Sequence, residues 1–260
     1  MRKDYDDMTV DIITFLIVCP LVFLAGFVDA VAGGGGLISL PAYMIAGLPV
    51  HYAIGTNKLS SGVGSLFATY RFAKKGYIQW KRAGICVIFA LIGSMLGANI
   101  ALLITDHIFK MLMLVIIPVT AFYIIRCKSL EDNHLQEYSN VKTSLICIGI
   151  AFVIGVYDGF YGPGTGTFLL LLLTSLAHIK LGSANGIAKV INVTTNLSAL
   201  AVYVSSGKIV VLLGIVAALF SLLGNYLGTK LFDKSGAKAV KPIMIFVLCV
   251  FFIKVVLEVF

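Results

Sequence analysis

The stretch GFVDAVAGGG, Gly26–Gly35, returns 129 residues later as GVYDGFYGPG, Gly155–Gly164. Each copy carries an aspartate, Asp29 or Asp158, four residues ahead of a glycine cluster and inside an apolar run. Downstream the offset becomes 131 and pairs Ala53 with Ala184, Gly55 with Gly186 and Lys58 with Lys189. It goes on to pair Gly76 with Gly207, Gly93 with Gly224, Leu96 with Leu227 and Gly97 with Gly228. A register held over about 70 residues with a single two-residue slip reads as an internal duplication.

The repeat sits in an apolar chain. Hydrophobic residues are 59% and charged residues 12% of 260, with a mean hydropathy of +1.00. Soluble domains carry about twice that share of charge, so a water-soluble enzyme, a disordered chain and a disulfide scaffold are excluded. Apolar runs fall at about 10–31, 37–48, 51–72, 81–104, 108–126, 143–160, 165–180, 183–204, 209–231 and 238–260. A helical crossing needs about 20 residues. The runs 37–48 and 165–180 are too short for one, and each follows a glycine cluster. Short, glycine-interrupted runs at matching places in two halves point to a transporter binding site.

The first run ends in Ala30-Val31-Ala32, which resembles a signal-peptide cleavage site. Asp4, Asp6 and Asp7 stand where such a peptide is basic, and the region recurs inside the chain, so that reading is rejected. The polar stretch Lys128–Lys142 is the one linker. The expected organisation is a first membrane repeat over 1–127, a cytoplasmic linker over 128–142 and a second membrane repeat over 143–260.

Orientation follows from basic residues, which concentrate in cytoplasmic loops. The loop 71–82 holds Arg71, Lys74, Lys75, Lys81 and Arg82, whereas its counterpart 202–213 holds only Lys208. The loop 230–241 holds Lys230, Lys234, Lys238 and Lys241, against Lys110 alone around 99–110. The basic loop changes place between the halves, as it does when they insert upside down relative to each other. Each half has an odd number of runs, and folding the first two into a re-entrant hairpin leaves an odd number of crossings. Both termini then lie outside the cytoplasm. A parallel duplication with miscounted helices is the rival. The formal charge of +8 thus marks membrane topology and not a nucleic-acid partner.

The residues able to carry chemistry are the matched ones. Gly33, Gly34, Gly35 and Gly36 precede one short run, and Gly162, Gly164 and Thr165 open the other. Glycine lets a ligand approach the backbone, and the following helix start offers free amides and a positive dipole end to an anion. Close helix packing is the competing use of glycine in membranes. Lys58 lies on a stripe with Ser61 and Ser65, beside Asn57, and Lys189 lies on the equivalent stripe with Asn192 and Asn196. A charge at the centre of a membrane helix costs at least ~2.5–3.5 kcal/mol, so an idle one is disfavoured. Snorkelling to the interface is the alternative, and the matched stripes weigh against it. Asp29 and Asp158 have three open readings: partners of the two lysines, titratable carriers of a coupling proton, or acceptors for turn amides.

Other features say less. The five cysteines, Cys19, Cys86, Cys127, Cys147 and Cys249, are scattered and read as apolar packing. His51, His107 and His178 fall at segment ends and His134 in the linker, so no metal site or cofactor is expected. Trp80 and Tyr77 suit an aromatic belt. There is no nucleotide-binding glycine loop.

The stretch Gly26–Gly62, with Thr56-Asn57-Lys58, and the stretch Gly155–Phe168, with GPGTG at Gly162–Gly166, resemble the sulfite exporter TauE/SafE family, most of all its YfcA-like branch. The resemblance implies a cytoplasmic-membrane permease moving small sulfur-containing anions such as sulfite or organosulfonates. The residues alone specify only a small anion.

The expectation is therefore an all-α polytopic membrane bundle of two inverted-topology repeats, with short re-entrant or broken helices after Gly-rich turns. It works as a secondary transporter of a small anion by alternating access, with proton or sodium coupling and a homodimer as a candidate assembly. The rivals are an uncoupled anion channel or uniporter, a membrane-embedded enzyme and a structural subunit.

Overall fold

The computed structural model describes residues 11–126 and 139–235, with positions 249, 252, 253, 256 and 257 beyond. Most of the tenth apolar run, most of the linker, His134 and Cys127 lie outside the described residues. Those residues form helices α1 (Ile12–Ala32), α2 (Gly36–Ile45), α3 (Val50–Lys74), α4 (Trp80–Leu102), α5 (Asp106–Arg126), α6 (Asn140–Phe160), α7 (Thr165–Ser175), α8 (Leu181–Ser205) and α9 (Val211–Ser235). No strand occurs among them, as expected where lipid cannot hydrogen-bond an exposed backbone.

Helices α1, α4, α6, α8 and α9 are long and apolar enough to cross a membrane. Helix α3 matches α8 at 25 residues, but its polar stripe dilutes its hydropathy. Helices α2 and α7 have 10 and 11 residues, which at ~1.5 Å per residue is about half the ~30 Å hydrocarbon thickness. Apolar residues left exposed, among them Ile88, Leu96, Val115, Val119, Leu219 and Leu223, form a lipid-facing surface. Cys19, Cys86 and Cys147 are buried and free, as packing residues would be, whereas Cys249 is exposed and free.

Chain reversals recur at repeat-related positions. Helix α1 stops at Gly33, with φ 73°, and α6 gives way to Gly162, with φ 95°. Gly76 and Gly207, with φ 74° and 65°, end α3 and α8, and Gly47 and His178 (φ 94° and 54°) follow α2 and α7. A Cβ on Gly76 or Gly207 meets nothing within 4 Å. Gly76→Ala and Gly207→Ala should therefore each lose only the left-handed backbone penalty, about 1–2 kcal/mol, read as a lower Tm of the purified protein with transport unchanged.

Packing partners also exchange between the halves. Helix α1 lies along α9 through Gly26, Gly224 and Gly228, and α6 lies along α4 through Gly155, Gly159, Gly93 and Gly97. The loop at Tyr77 closes on Gly186 at the start of α8, and the loop at Lys208 closes on Gly55 at the start of α3. Arg82 donates to Asn140 Oδ1 at 2.7 Å, tying the start of α6 to the Tyr77 end of the bundle. At the Lys208 end, Asp106 bridges His51 at 2.7 Å and accepts from Val50 N at 3.3 Å. The α6–α7 hairpin is thus rooted at one end, and α2 delivers the chain to α3 at the other. Their tips meet between, where Thr167 N donates to Gly33 O at 3.1 Å.

Candidate functional site

The two hairpin tips, α3 and α8 supply a buried quartet of charges. Asp29 and Asp158 sit in the last turns of α1 and α6, and Lys58 and Lys189 lie well inside α3 and α8. Lys58 Nζ meets Asp158 Oδ2 at 2.7 Å, and Lys189 Nζ meets Asp29 Oδ2 at 3.0 Å. Lys189 Nζ also donates to the backbone carbonyl of Asp29. The lysine side chains are 2% exposed, and those of Asp158 and Asp29 3% and 12%. Of the three readings of the aspartates, partnership with the lysines is what the geometry displays, and neither lysine snorkels. Each pair joins one half to the other. Two cations against two carboxylates make the quartet neutral.

Glycine is required where the tips approach these groups. A Cβ on Gly162 would lie 3.0 Å from Lys58 Nζ, and one on Gly33 would lie 2.5 Å from the carbonyl carbon of Gly166. Thr165 Oγ1 lies 2.6 Å from Asp158 Oδ1 and equally near Gly162 O. The amides of Thr165, Thr167, Leu37 and Ile38 already donate to backbone carbonyls of the turns. Those of Gly36 and Gly166 have no acceptor among the described residues, and both residues line the cavity at the tips.

That cavity offers about 30 Å³, room for one or two waters. Asp29, Gly33, Gly35, Gly36, Asn57, Lys58, Ser61, Ser65, Asp158, Gly162, Thr165, Asn192 and Asn196 all line it, as the repeat analysis brought them together. Gly34, Gly164 and Lys189 are not on its wall. Lys189 stands behind Asp29, and Gly164 shapes the start of α7 with φ 85°. Two side chains absent from the sequence reading, Ser221 and Asn225 of α9, complete the wall with Val22, Ala25, Gly26 and Gly166. Ser221 and Asn225 are one turn apart in an otherwise apolar stretch of helix, the same signal that marked the α3 and α8 stripes.

The side-chain amides have fixed orientations. Asn196 Nδ2 donates to Asn192 O at 2.7 Å and to Asn192 Oδ1 at 2.6 Å, which leaves Asn192 its Nδ2 to present. Asn57 accepts from Ser61 Oγ at 3.1 Å. The wall beside Lys58 is therefore rich in donors. No group of three or more His, Cys, Asp or Glu side chains able to hold a metal occurs among the described residues.

A family profile described as sulfite exporter TauE/SafE matches residues 18–255. The chain belongs to the TauE/SafE family. It is 32% identical to the probable membrane transporter protein ORF9 of a Sinorhizobium species, with 93% of this chain and 91% of that protein covered. It is 33% identical to a probable membrane transporter protein of Haemophilus influenzae, over 92% of each. It is 31% identical to the probable membrane transporter protein YfcA of Escherichia coli, over 87% of this chain and 84% of that one. No solved structure matches the chain. This TauE/SafE member is a multi-pass membrane transporter and not an enzyme.

Proposed function

We propose that the chain is a secondary transporter of a small sulfur-containing anion, sulfite or an organosulfonate, working by alternating access in the cytoplasmic membrane. Its two halves are inverted repeats, and both termini lie outside the cytoplasm. The single observation that carries the reading is a neutral, buried quartet at the meeting point of two hairpin tips, with donors facing one cavity. The exchange of packing partners between halves supports the inversion. The cavity is too narrow for an oxoanion as it stands, so loading requires the helices to part, which suits a contracted state of an alternating cycle.

Neutrality sets the coupling. An anion added to two matched ion pairs leaves a net charge in a water-poor site, which is costly. A proton taken up by Asp29 or Asp158 frees a lysine for the anion and restores neutrality. The transported unit is then anion plus proton. Asp29→Asn or Asp158→Asn should remove the pH dependence of flux into liposomes. If both variants keep wild-type flux and pH response, proton coupling by these groups is wrong. An uncoupled uniporter would show flux indifferent to clamped proton and sodium gradients.

The substrate class is read by ligand-induced stabilisation. A ligand binding only the folded state at a hundredfold its Kd adds about 2.7 kcal/mol. Among sulfite, sulfoacetate, sulfolactate, taurine, sulfate and simple carboxylates, at least one sulfur anion should raise the Tm. Stabilisation by dicarboxylates alone would overturn the sulfur assignment.

A further inference from the structure

One wall of the cavity is wrong for an anion. Asn225 is 1% exposed and projects from α9 between α1 and α3, where Gly26 and Gly64 make room for it. Its Nδ2 donates to Ser221 O at 3.0 Å, so the amide cannot be turned without setting oxygen against oxygen. That fixes Oδ1 as the free end, and Oδ1 is buried without a hydrogen-bond partner among the described residues. A buried acceptor left unmade is expensive. The repeat-equivalent position in α4 is Ser94, which is fully buried, donates to Thr195 O at 2.7 Å and is not on the cavity wall. The fold therefore tolerates a short, satisfied side chain here, and the orphaned acceptor belongs to this half alone.

Resting on the anion-transport reading above, we infer that Asn225 selects substrates carrying a neutral hydrogen-bond donor, so that the transported anion is a hydroxylated small organic anion and not a bare oxoanion. The Lys58 side of the cavity offers N–H groups to the charged end, and Asn225, a residue of the same wall, holds an unmatched acceptor, Oδ1, that suits only a donor. A hydroxyl fits better than an ammonium, because Asn225 and Ser221 are uncharged and both carboxylates are already committed to lysines.

The test compares 2-hydroxyethanesulfonate with 1-propanesulfonate, which replaces the hydroxyl by a methyl group at equal charge and similar size. Affinities are obtained from Tm against concentration on the purified full chain. A site built around a hydroxyl rejects the analogue lacking it strongly, and the hydroxylated anion should bind at least about tenfold tighter. In Asn225→Ser the preference should fall to within about twofold. Equal binding of the two by the wild type overturns the inference and leaves anion transport standing. Tighter binding of 2-aminoethanesulfonate overturns the neutral donor. If no sulfonate binds, the sulfur reading fails, and 3-hydroxypropanoate against butanoate decides the donor: a tenfold preference upholds it, and equal or absent binding overturns it.

Discussion

Lys58→Met is expected to abolish transport and to lower folding stability by about 3–5 kcal/mol, the range for breaking a buried ion pair from one side. The loss arises mainly from the partner left behind. Asp158 Oδ2 loses its cation at 2.7 Å, and the carboxylate, 3% exposed, keeps Thr165 Oγ1 at its other oxygen. Removing both charges in Lys58→Met/Asp158→Asn should recover most of the stability, because a neutral pair of similar volume has no ion to desolvate. Transport should stay lost in the double variant, since the site then has no cation to release. The double-mutant cycle thus separates folding from function. The equivalent Lys189→Met should be milder in stability, because Asp29 is more exposed at 12%. Thermal unfolding in detergent and flux in liposomes supply the two readouts. Wild-type flux in Lys58→Met would remove the basis of the proposed mechanism.

The duplicated aspartates, lysines and glycine clusters were legible because a membrane makes polar residues rare, so a matched pair 129 or 131 residues apart stands out. The nine described helices, the short α2 and α7 among them, fall on the first nine apolar runs. Which aspartate meets which lysine did not follow. Asp29 is close to Lys58 in sequence, yet Lys58 bonds Asp158 and Lys189 bonds Asp29, because the hairpin tips cross between halves. Local spacing carries no information about that exchange. The two repeats differ at one position. Lys58 is on the cavity wall, whereas Lys189 is paired to the wall residue Asp29 and is not itself on it. Asn225 carries no repeat signal, because its counterpart is Ser94.

Gly97→Ala is expected to cost about 3 kcal/mol or more, at the upper end of what overpacking does, although it adds a single methyl group. The new Cβ would collide with the carbonyl oxygen of Val156 and lie 2.8 Å from Phe160 N. Both are backbone atoms of α6, so no side chain can rotate away and the whole helix must move. Membrane helices gain little from burying apolar surface away from lipid and depend on this close backbone approach. Gly159, across the interface, meets the Ser94 carbonyl oxygen in the same way, and Gly228 meets Phe27 O at 2.5 Å where α9 packs on α1. The same helices supply the control. Gly84 in α4 and Gly149 in α6 have nothing within 4 Å of an added Cβ, and alanine there should gain up to about 1 kcal/mol of helix propensity. Function should follow the interface and not the composition. Val156 and Phe160 bracket Asp158, so an α6 displaced by a methyl width carries Asp158 away from Lys58. Gly97→Ala should therefore lose transport even at temperatures where it is folded, while Gly84→Ala keeps it. Equal Tm and equal flux for the two variants would mean that α4 and α6 pack less closely than these contacts require.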